Sequence, residues 1–214
     1  NAELVQLISV IAVLSMLIGN ILALQQQNIK RLLGYSSIAH MGYLLIVLVV
    51  VSSNNFDFIW QTALFYLAAY VLASLSIFTA LVIYTVSSTD KQNFEMDCLK
   101  GLFWHKPLLS SLIIMALLSL AGIPLSMGFI GKFYLLSYAT QAGLWELIAA
   151  LIIGSGISLF YYLRLIFVLF TPSYEAPNLL RYSYLNYLLV ILLTFTGLTL
   201  GLYPNMVSEL LINL

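Results

Sequence analysis

The sequence predicts an all-α protein, a polytopic transmembrane helix bundle with six membrane elements, the fourth of them a discontinuous helix. Three observations carry that expectation. Of the 214 residues, 62% are hydrophobic and 7% charged, where a soluble domain carries about 25% charged residues. The apolar runs exceed the roughly 20 residues of a membrane-spanning helix, whereas barrel strands would alternate over about 10. Seven of the eight Lys and Arg residues fall near predicted helix ends, where charge meets headgroups and water at little cost.

The first span runs from Leu4 to Leu24 and closes on the polar turn QQQNIKR. The second covers about Leu32 to Val51 and the third about Phe58 to Val86. The longest loop, SSTDKQNFEMDCLKGLFWHK, leads into the fourth element, Pro107 to Thr140. The fifth runs from Leu144 to Phe170 and the sixth from Tyr182 to Tyr203, before a short amphipathic tail, PNMVSELLINL. The opening NAELVQLIS has no basic n-region and no small-residue cleavage site, so no signal peptide is expected. It lacks an initiator Met and enters a span almost at once, which suggests a fragment or a processed chain.

The fourth element is too long for one straight span, and Gly122 and Pro124 interrupt its middle. It could be a hairpin or one broken helix. The distribution of Lys and Arg between loops decides. Counted as one crossing, it puts Lys30, Arg31, Lys91, Lys100, Lys106, Arg164 and Arg181 on one side, and leaves Glu3, Asp57, Glu146 and Glu209 opposite. Counted as a hairpin, it flips Arg164 and Arg181. One broken helix is therefore expected, with both chain ends on the outer side and the break at Gly122, Pro124, Gly128 and Gly131. Backbone left unpaired at membrane depth is tolerated only where protein buries it or it lines a cavity, and transporters place their sites at such breaks.

Lys132 lies two to three turns past that break. A lysine near the bilayer centre costs at least about 2.5–3.5 kcal/mol, so its default reading is functional. The competing reading is a proline kink with a lysine that snorkels to an interface. That lysine would have to reach across eight residues towards the acidic side, against the pattern of every other basic residue.

His40 is near the centre of the second span, in a polar arc with Ser36, Ser37 and Tyr43 that Lys30 extends. An imidazole among hydroxyls is either a proton relay or packing glue between helices. Lys30 is either part of that arc or an anchor at the inner end. Thr62, Tyr66, Tyr70 and Ser74 form a hydroxyl stripe on the third span; Ser155, Ser158 and Tyr162, beside Gly154 and Gly156, form another on the fifth. Such stripes line water chains or pack helices. Arg164 can snorkel inward, and Gly197 and Gly201 form a GxxxG expected to pack against a lipid-facing neighbour or a partner subunit.

Several classes are excluded. The net charge is zero, so nothing argues for nucleic acid. One cysteine, Cys98, and two distant histidines, His40 and His105, make no disulfide, zinc, haem or iron–sulfur framework. There is no phosphate loop, no nucleophile–base pair and no acidic pair at membrane depth. The chemistry left is proton or cation movement by Lys132, His40, hydroxyls and water.

Three long phrases carry a resemblance over essentially the whole chain: NIKRLLGYSSIAHMGYLL, GLFWHKPLLSSLIIMALLSLAGIPLSMGFIGKFYLL and SGISLFYYLRLI. By these residues the chain resembles the antiporter-like membrane subunits of bacterial proton-translocating NADH:quinone oxidoreductase, respiratory complex I. The group includes subunits L, M and N and the Mrp-type cation/proton antiporters. The subunit N branch, subunit 2 in mitochondria, fits best, because subunit M typically has a glutamate where this chain has Lys132 in GKF.

The resemblance implies a fold of fourteen helices with two inverted five-helix repeats. Residues 1–170 would form the second repeat, with spans at about 4–24, 32–51, 58–86, 107–140 and 144–170. Residues 171–214 would supply the final helix and tail, and the first eight helices would be absent. Lys132 would match the terminal lysine of a mid-membrane row of charges, with His40 and Lys30 near the same axis. The implied function is proton translocation coupled to electron transfer from NADH to quinone, through Lys132 and a water-filled half-channel. The chain would bind no cofactor: NADH, FMN, iron–sulfur clusters and quinone would belong to other subunits. Its partners would be subunit M, small membrane subunits and lipid, in a bacterial inner membrane, with the Lys- and Arg-bearing loops cytoplasmic and both chain ends periplasmic. The alternatives are an Mrp-type antiporter or membrane-bound hydrogenase subunit of the same fold, and a scaffold whose polar stripes only pack helices.

Overall fold

The computed structural model describes residues 2–51, 56–87, 94–172 and 184–202. Among these residues there is no strand, only an isolated bridge between Asn28 and Glu95. The helices are α1 (Ala2–Leu24), α2 (Ile29–Val51), α3 (Phe56–Ser87), α4 (Leu102–His105), α5 (Pro107–Ala121), α6 (Met127–Gln141), α7 (Trp145–Phe170) and α8 (Tyr184–Leu202), with a 3₁₀ turn at Met96–Leu99. Helices α1, α2, α3 and α7 are long and apolar enough to cross a membrane, and α5 and most of α8 are shorter apolar helices. Exposed apolar side chains such as Leu7, Leu14, Ile18, Val82, Ile152, Phe167 and Phe195 face outward along these helices, as expected where the solvent is lipid. Lys91, Arg181, Glu209 and the predicted amphipathic tail lie outside the described residues.

The ends of the elements follow from local chemistry. The Asn28 side chain accepts from the backbone N–H groups of Lys30 and Arg31 and starts α2. Pro107 occupies the first turn of α5, where its missing N–H has no cost. α5 closes on Gly122 in the left-handed region, φ 80°, with Gly122 N–H on Ser119 O and Ile123 N–H on Leu118 O. That is a Schellman closure. Leu125 is also left-handed, at φ 77°, and the Ser126 hydroxyl accepts from Phe129 N–H to start α6.

The break is thus built from Gly122, the Pro124–Leu125 turn and the Ser126 cap. Gly128 and Gly131, expected as part of it, lie inside α6 and serve close packing instead. A Cβ on Gly128 would stand 1.9 Å from Ser119 O, and one on Gly131 would stand 2.8 Å from the Tyr66 ring.

α5 and α6 make one crossing. The Tyr84 hydroxyl of α3 donates to the Cys98 carbonyl, in the connector between α3 and α5. Going back along α3, Ala73–Leu81 share a core with Leu109–Ala121 of α5. Tyr66 then meets Gly131 of α6, and Ile59 shares a core with Leu135 and Ala139. The two halves therefore run in sequence along α3 rather than folding back. Each half has 15 residues, about 22 Å at 1.5 Å per residue. Neither alone spans a hydrocarbon core of about 30 Å, so the break falls near mid-depth.

Lys30, Arg31, Lys100 and Lys106 consequently share one end of the bundle. The connector ties that end together. Ile29 N–H donates to Phe94 O and Met96 N–H to Gln27 O, and the Trp104 indole N–H donates to Phe170 O at the end of α7. Among the described residues two large apolar clusters, and a small one of Phe65, Ala69 and Met127, fill the bundle. Of the large two, one, nearer the basic end, joins α2, α3, α5 and α7 around Leu32, Ile77, Leu117 and Leu165. The other, nearer the opposite end, joins α1, α2, α3, α6 and α7 around Ala12, Ile46, Ile59, Leu135 and Leu151. The polar side chains lie where the two meet.

Candidate functional site

The Schellman closure of α5 uses the carbonyls of Leu118 and Ser119 and leaves those of Leu120 and Ala121 open at the negative end of a helix dipole. Lys132 occupies that position. Its Nζ donates to Ala121 O at 3.0 Å and to Leu120 O at 3.2 Å, and the residue is 6% exposed. α6 reaches this register because Gly128 lets it cross the last turn of α5 in contact. Gly122 makes room as well, since a Cβ there would meet the Lys132 side chain at 3.0 Å. The ammonium also stands 5.3 Å from the centre of the Tyr43 ring.

Across a small cavity from Lys132 stands His40. The cavity is lined by His40, Tyr66, Tyr70, Ser119, Gly128 and Lys132. His40 Nδ1 is 2.7 Å from the Tyr66 hydroxyl and Nε2 is 3.4 Å from that of Tyr162, which in turn contacts Ser36. The Tyr70 ring flanks the imidazole at 5.0 Å between centres. A neutral imidazole donates from one nitrogen and accepts at the other. With a phenol at each nitrogen, a change of tautomer reverses the direction of the Ser36–Tyr162–His40–Tyr66 chain. That arrangement can hand a proton across α2, α3 and α7.

Of the residues singled out in the sequence, Lys132, His40, Ser36, Tyr43, Tyr66, Tyr70 and Tyr162 come together. Gly154 and Ser155 approach the same group. Ser158 is buried but its hydroxyl returns to Ser155 O, Ser37 bonds to Gly34 O of its own helix, and Ser74 is half-buried one turn beyond Tyr70. Thr62 is buried and Arg164 exposed. Lys30 is exposed, with its ammonium 3.2 Å from the centre of the Phe94 ring. Ten residues separate it from His40, about 15 Å along the helix. The structure does not join it to the imidazole.

The GxxxG of α8 is also placed differently from expectation. Gly201 packs within the chain, on the break itself, where a Cβ would stand 2.6 Å from Met127 N. Gly197 instead lines a second cavity with Ser76, Ser119, Ser126 and Thr194, which shares Ala69 and Ser119 with the first.

Among the buried residues that the sequence reading passed over are Asn20, 0% exposed, and Tyr161. Asn20 donates to Met16 O and to the Tyr43 hydroxyl and accepts from the Tyr161 hydroxyl. An amide inside an apolar span was the available signal.

Residues 1–158 match the family described as NADH:quinone oxidoreductase/Mrp antiporter, transmembrane. Among solved structures, a chain of respiratory complex I from Thermus thermophilus with bound aureothin is 33% identical, with a TM-score of 0.81 over 94% of this chain and 44% of that one. A chain of the Mrp complex from Dietzia sp. DQ12-45-1b shares the fold at 19% identity, with a TM-score of 0.84 over 97% of this chain and 46% of that one. A chain of the archaeal membrane-bound sulfane sulfur reductase does so at 21% identity, with a TM-score of 0.85, over 99% of this chain and 42% of that one. The chain thus spans less than half the length of these solved relatives. It belongs to the NADH:quinone oxidoreductase/Mrp antiporter transmembrane family.

Proposed function

We propose that this chain is the proton-handling C-terminal part of a subunit N-type protein in a proton-translocating NADH:quinone oxidoreductase. In this reading Lys132 takes up and releases a proton at mid-membrane. His40, with Tyr66, Tyr162 and Ser36, connects it to its surroundings. The observation that carries the reading is the placement of one buried ammonium on two carbonyls freed by a helix break, facing a histidine with a phenol at each nitrogen. The greater identity to a complex I chain than to the Mrp chain favours NADH:quinone chemistry over ion antiport.

NADH, FMN, iron–sulfur clusters and quinone are assigned to other subunits. The chain's own contribution is to hold, orient and move a proton against the membrane potential, about 2.3 kcal/mol per charge per 100 mV. Its partners are subunit M, small membrane subunits and bilayer lipid. The basic end faces the cytoplasm of a bacterial cell, by the positive-inside rule. By resemblance, residues 1–170 form the second inverted repeat and α8 the final helix.

The test is Lys132→Met in the intact complex, with NADH oxidation and proton uptake followed together in inverted membrane vesicles after assembly is verified. Collapse of both in an assembled complex is the expected result. Parental rates of both would mean that Lys132 is structural. Proton movement driven by a cation gradient, without NADH oxidation, in the parental membranes would favour the Mrp-type reading.

A further inference from the structure

We propose that Asn20 is a positioning residue for the Lys132 site, setting the direction of the hydroxyl protons of Tyr43 and Tyr161. The inference rests on the proton role proposed above for Lys132. Asn20 is fully buried on α1, outside the His40 chain, and its amide has only one consistent orientation. Met16 O, 2.7 Å away, can only accept, so the amide nitrogen must face it. The second N–H of that nitrogen then donates to the Tyr43 hydroxyl at 3.1 Å. The amide oxygen is left to accept from the Tyr161 hydroxyl at 3.0 Å.

The consequences differ for the two phenols. Tyr161 has its proton committed to Asn20. Tyr43 receives an N–H and must direct its own proton elsewhere. The buried Ser155 hydroxyl lies beside it and is in place to accept that proton. The Tyr43 ring centre lies 5.3 Å from the Lys132 ammonium, with His40 at 5.7 Å and Tyr66 at 6.3 Å between ring centres. Asn20 therefore orders the hydroxyl of the phenol whose ring borders both Lys132 and His40. α7 is shaped for this contact: a Cβ on Gly154 would stand 2.9 Å from both the Asn20 nitrogen and the Tyr43 hydroxyl.

The competing account is that Asn20 only glues α1 to α2 and α7. It predicts less assembled complex but parental turnover per complex. The experiment compares Asn20→Leu, of similar size and without polar atoms, with Asn20→Asp, of the same shape but with an acceptor in place of the donor. Both are made in the intact complex, and coupled NADH oxidation and proton uptake are measured per assembled complex across a pH series.

Leaving both buried phenols without their partner is expected to slow coupled turnover of Asn20→Leu by about tenfold at every pH. Asn20→Asp is expected to be slow at neutral pH and to recover as pH falls. The ionised carboxylate donates nothing; on protonation the acid regains one of the two donors, so the recovery is partial. Parental turnover per complex in both variants would overturn the proposal, and so would failure of both to assemble. Lys132→Met in the same membranes separates the two levels: if it also pumps normally, the proton role of Lys132 has failed, and if it is inactive while Asn20→Leu is normal, only the role of Asn20 has.

Discussion

Gly128→Ala tests whether the register of α6 on α5 creates the site. A methyl group at this position would begin 1.9 Å from Ser119 O. Carbon and carbonyl oxygen do not pack closer than about 3.3 Å, so the two helices must separate by roughly 1.4 Å. The obstacle is backbone in the last turn of α5, which has no rotamer to change. Lys132 is one turn further along α6, and its bonds to Ala121 O and Leu120 O are 3.0 and 3.2 Å long. Adding the same separation takes both beyond hydrogen-bond reach.

Overpacking a tight contact costs about 1–3 kcal/mol. Each hydrogen bond to a charged group contributes about 1.5–3 kcal/mol. Partial relaxation of the lysine side chain recovers some of this, which leaves a destabilisation of about 2–5 kcal/mol. The assay is thermal inactivation of the purified complex together with proton uptake per assembled complex. Gly156→Ala is the control, because a Cβ there meets nothing within 4 Å; its effect should stay within about 0.5 kcal/mol. If Gly128→Ala matched Gly156→Ala in both stability and pumping, the close crossing of α5 and α6 would not be what positions Lys132.

Three further outcomes follow from the same geometry. Tyr66→Phe removes the hydroxyl 2.7 Å from His40 Nδ1 and should lower coupled proton uptake about tenfold, the equivalent of one lost buried hydrogen bond, while the complex still assembles; unchanged uptake would take Tyr66 out of the path. Gly201→Val pushes a side chain against Met127 N and Ser126 C and should destabilise the subunit by about 1–3 kcal/mol, visible as a lower inactivation temperature, whereas Gly197→Val should be milder because Gly197 has open space beside it. Lys30→Gln should leave proton uptake at the parental rate, since Lys30 is exposed over Phe94; a large loss there would return it to the relay.

The sequence made the fold legible because a bilayer imposes length and charge rules that do not depend on packing detail. The single crossing of the fourth element followed from Arg164 and Arg181 alone, and α5 and α6 run along α3 as that reasoning required. Lys132 was legible for the same reason: an ammonium in an apolar run is conspicuous in one dimension. What joins it was not. Whether Gly128 breaks a helix or packs one depends on whether Ser119 lies opposite, and that is a fact of three dimensions. Likewise Lys30 and His40 share a stripe in projection, yet about 15 Å of rise separates them. Asn20 was overlooked because an uncharged amide at one end of an apolar span draws less notice than a charge.

The pairing of Lys132 with a helix break has an energetic logic. A lysine at mid-membrane costs about 2.5–3.5 kcal/mol even on the mildest scale. Two open carbonyls at a helix C-terminus cost energy as well if nothing satisfies them. Each group is the other's partner here: the break supplies acceptors and the negative end of a dipole, and the ammonium supplies donors. Neither feature is favourable alone at this depth, so the charged lysine depends on the relative position of α5 and α6. A shift of the order of 1 Å between them weakens both bonds. α8 touches the start of α6 through Gly201, and Tyr66 of α3 touches it through Gly131. These contacts tie the position of α6, and with it Lys132, to α8 through backbone and to α3 through the Tyr66 ring.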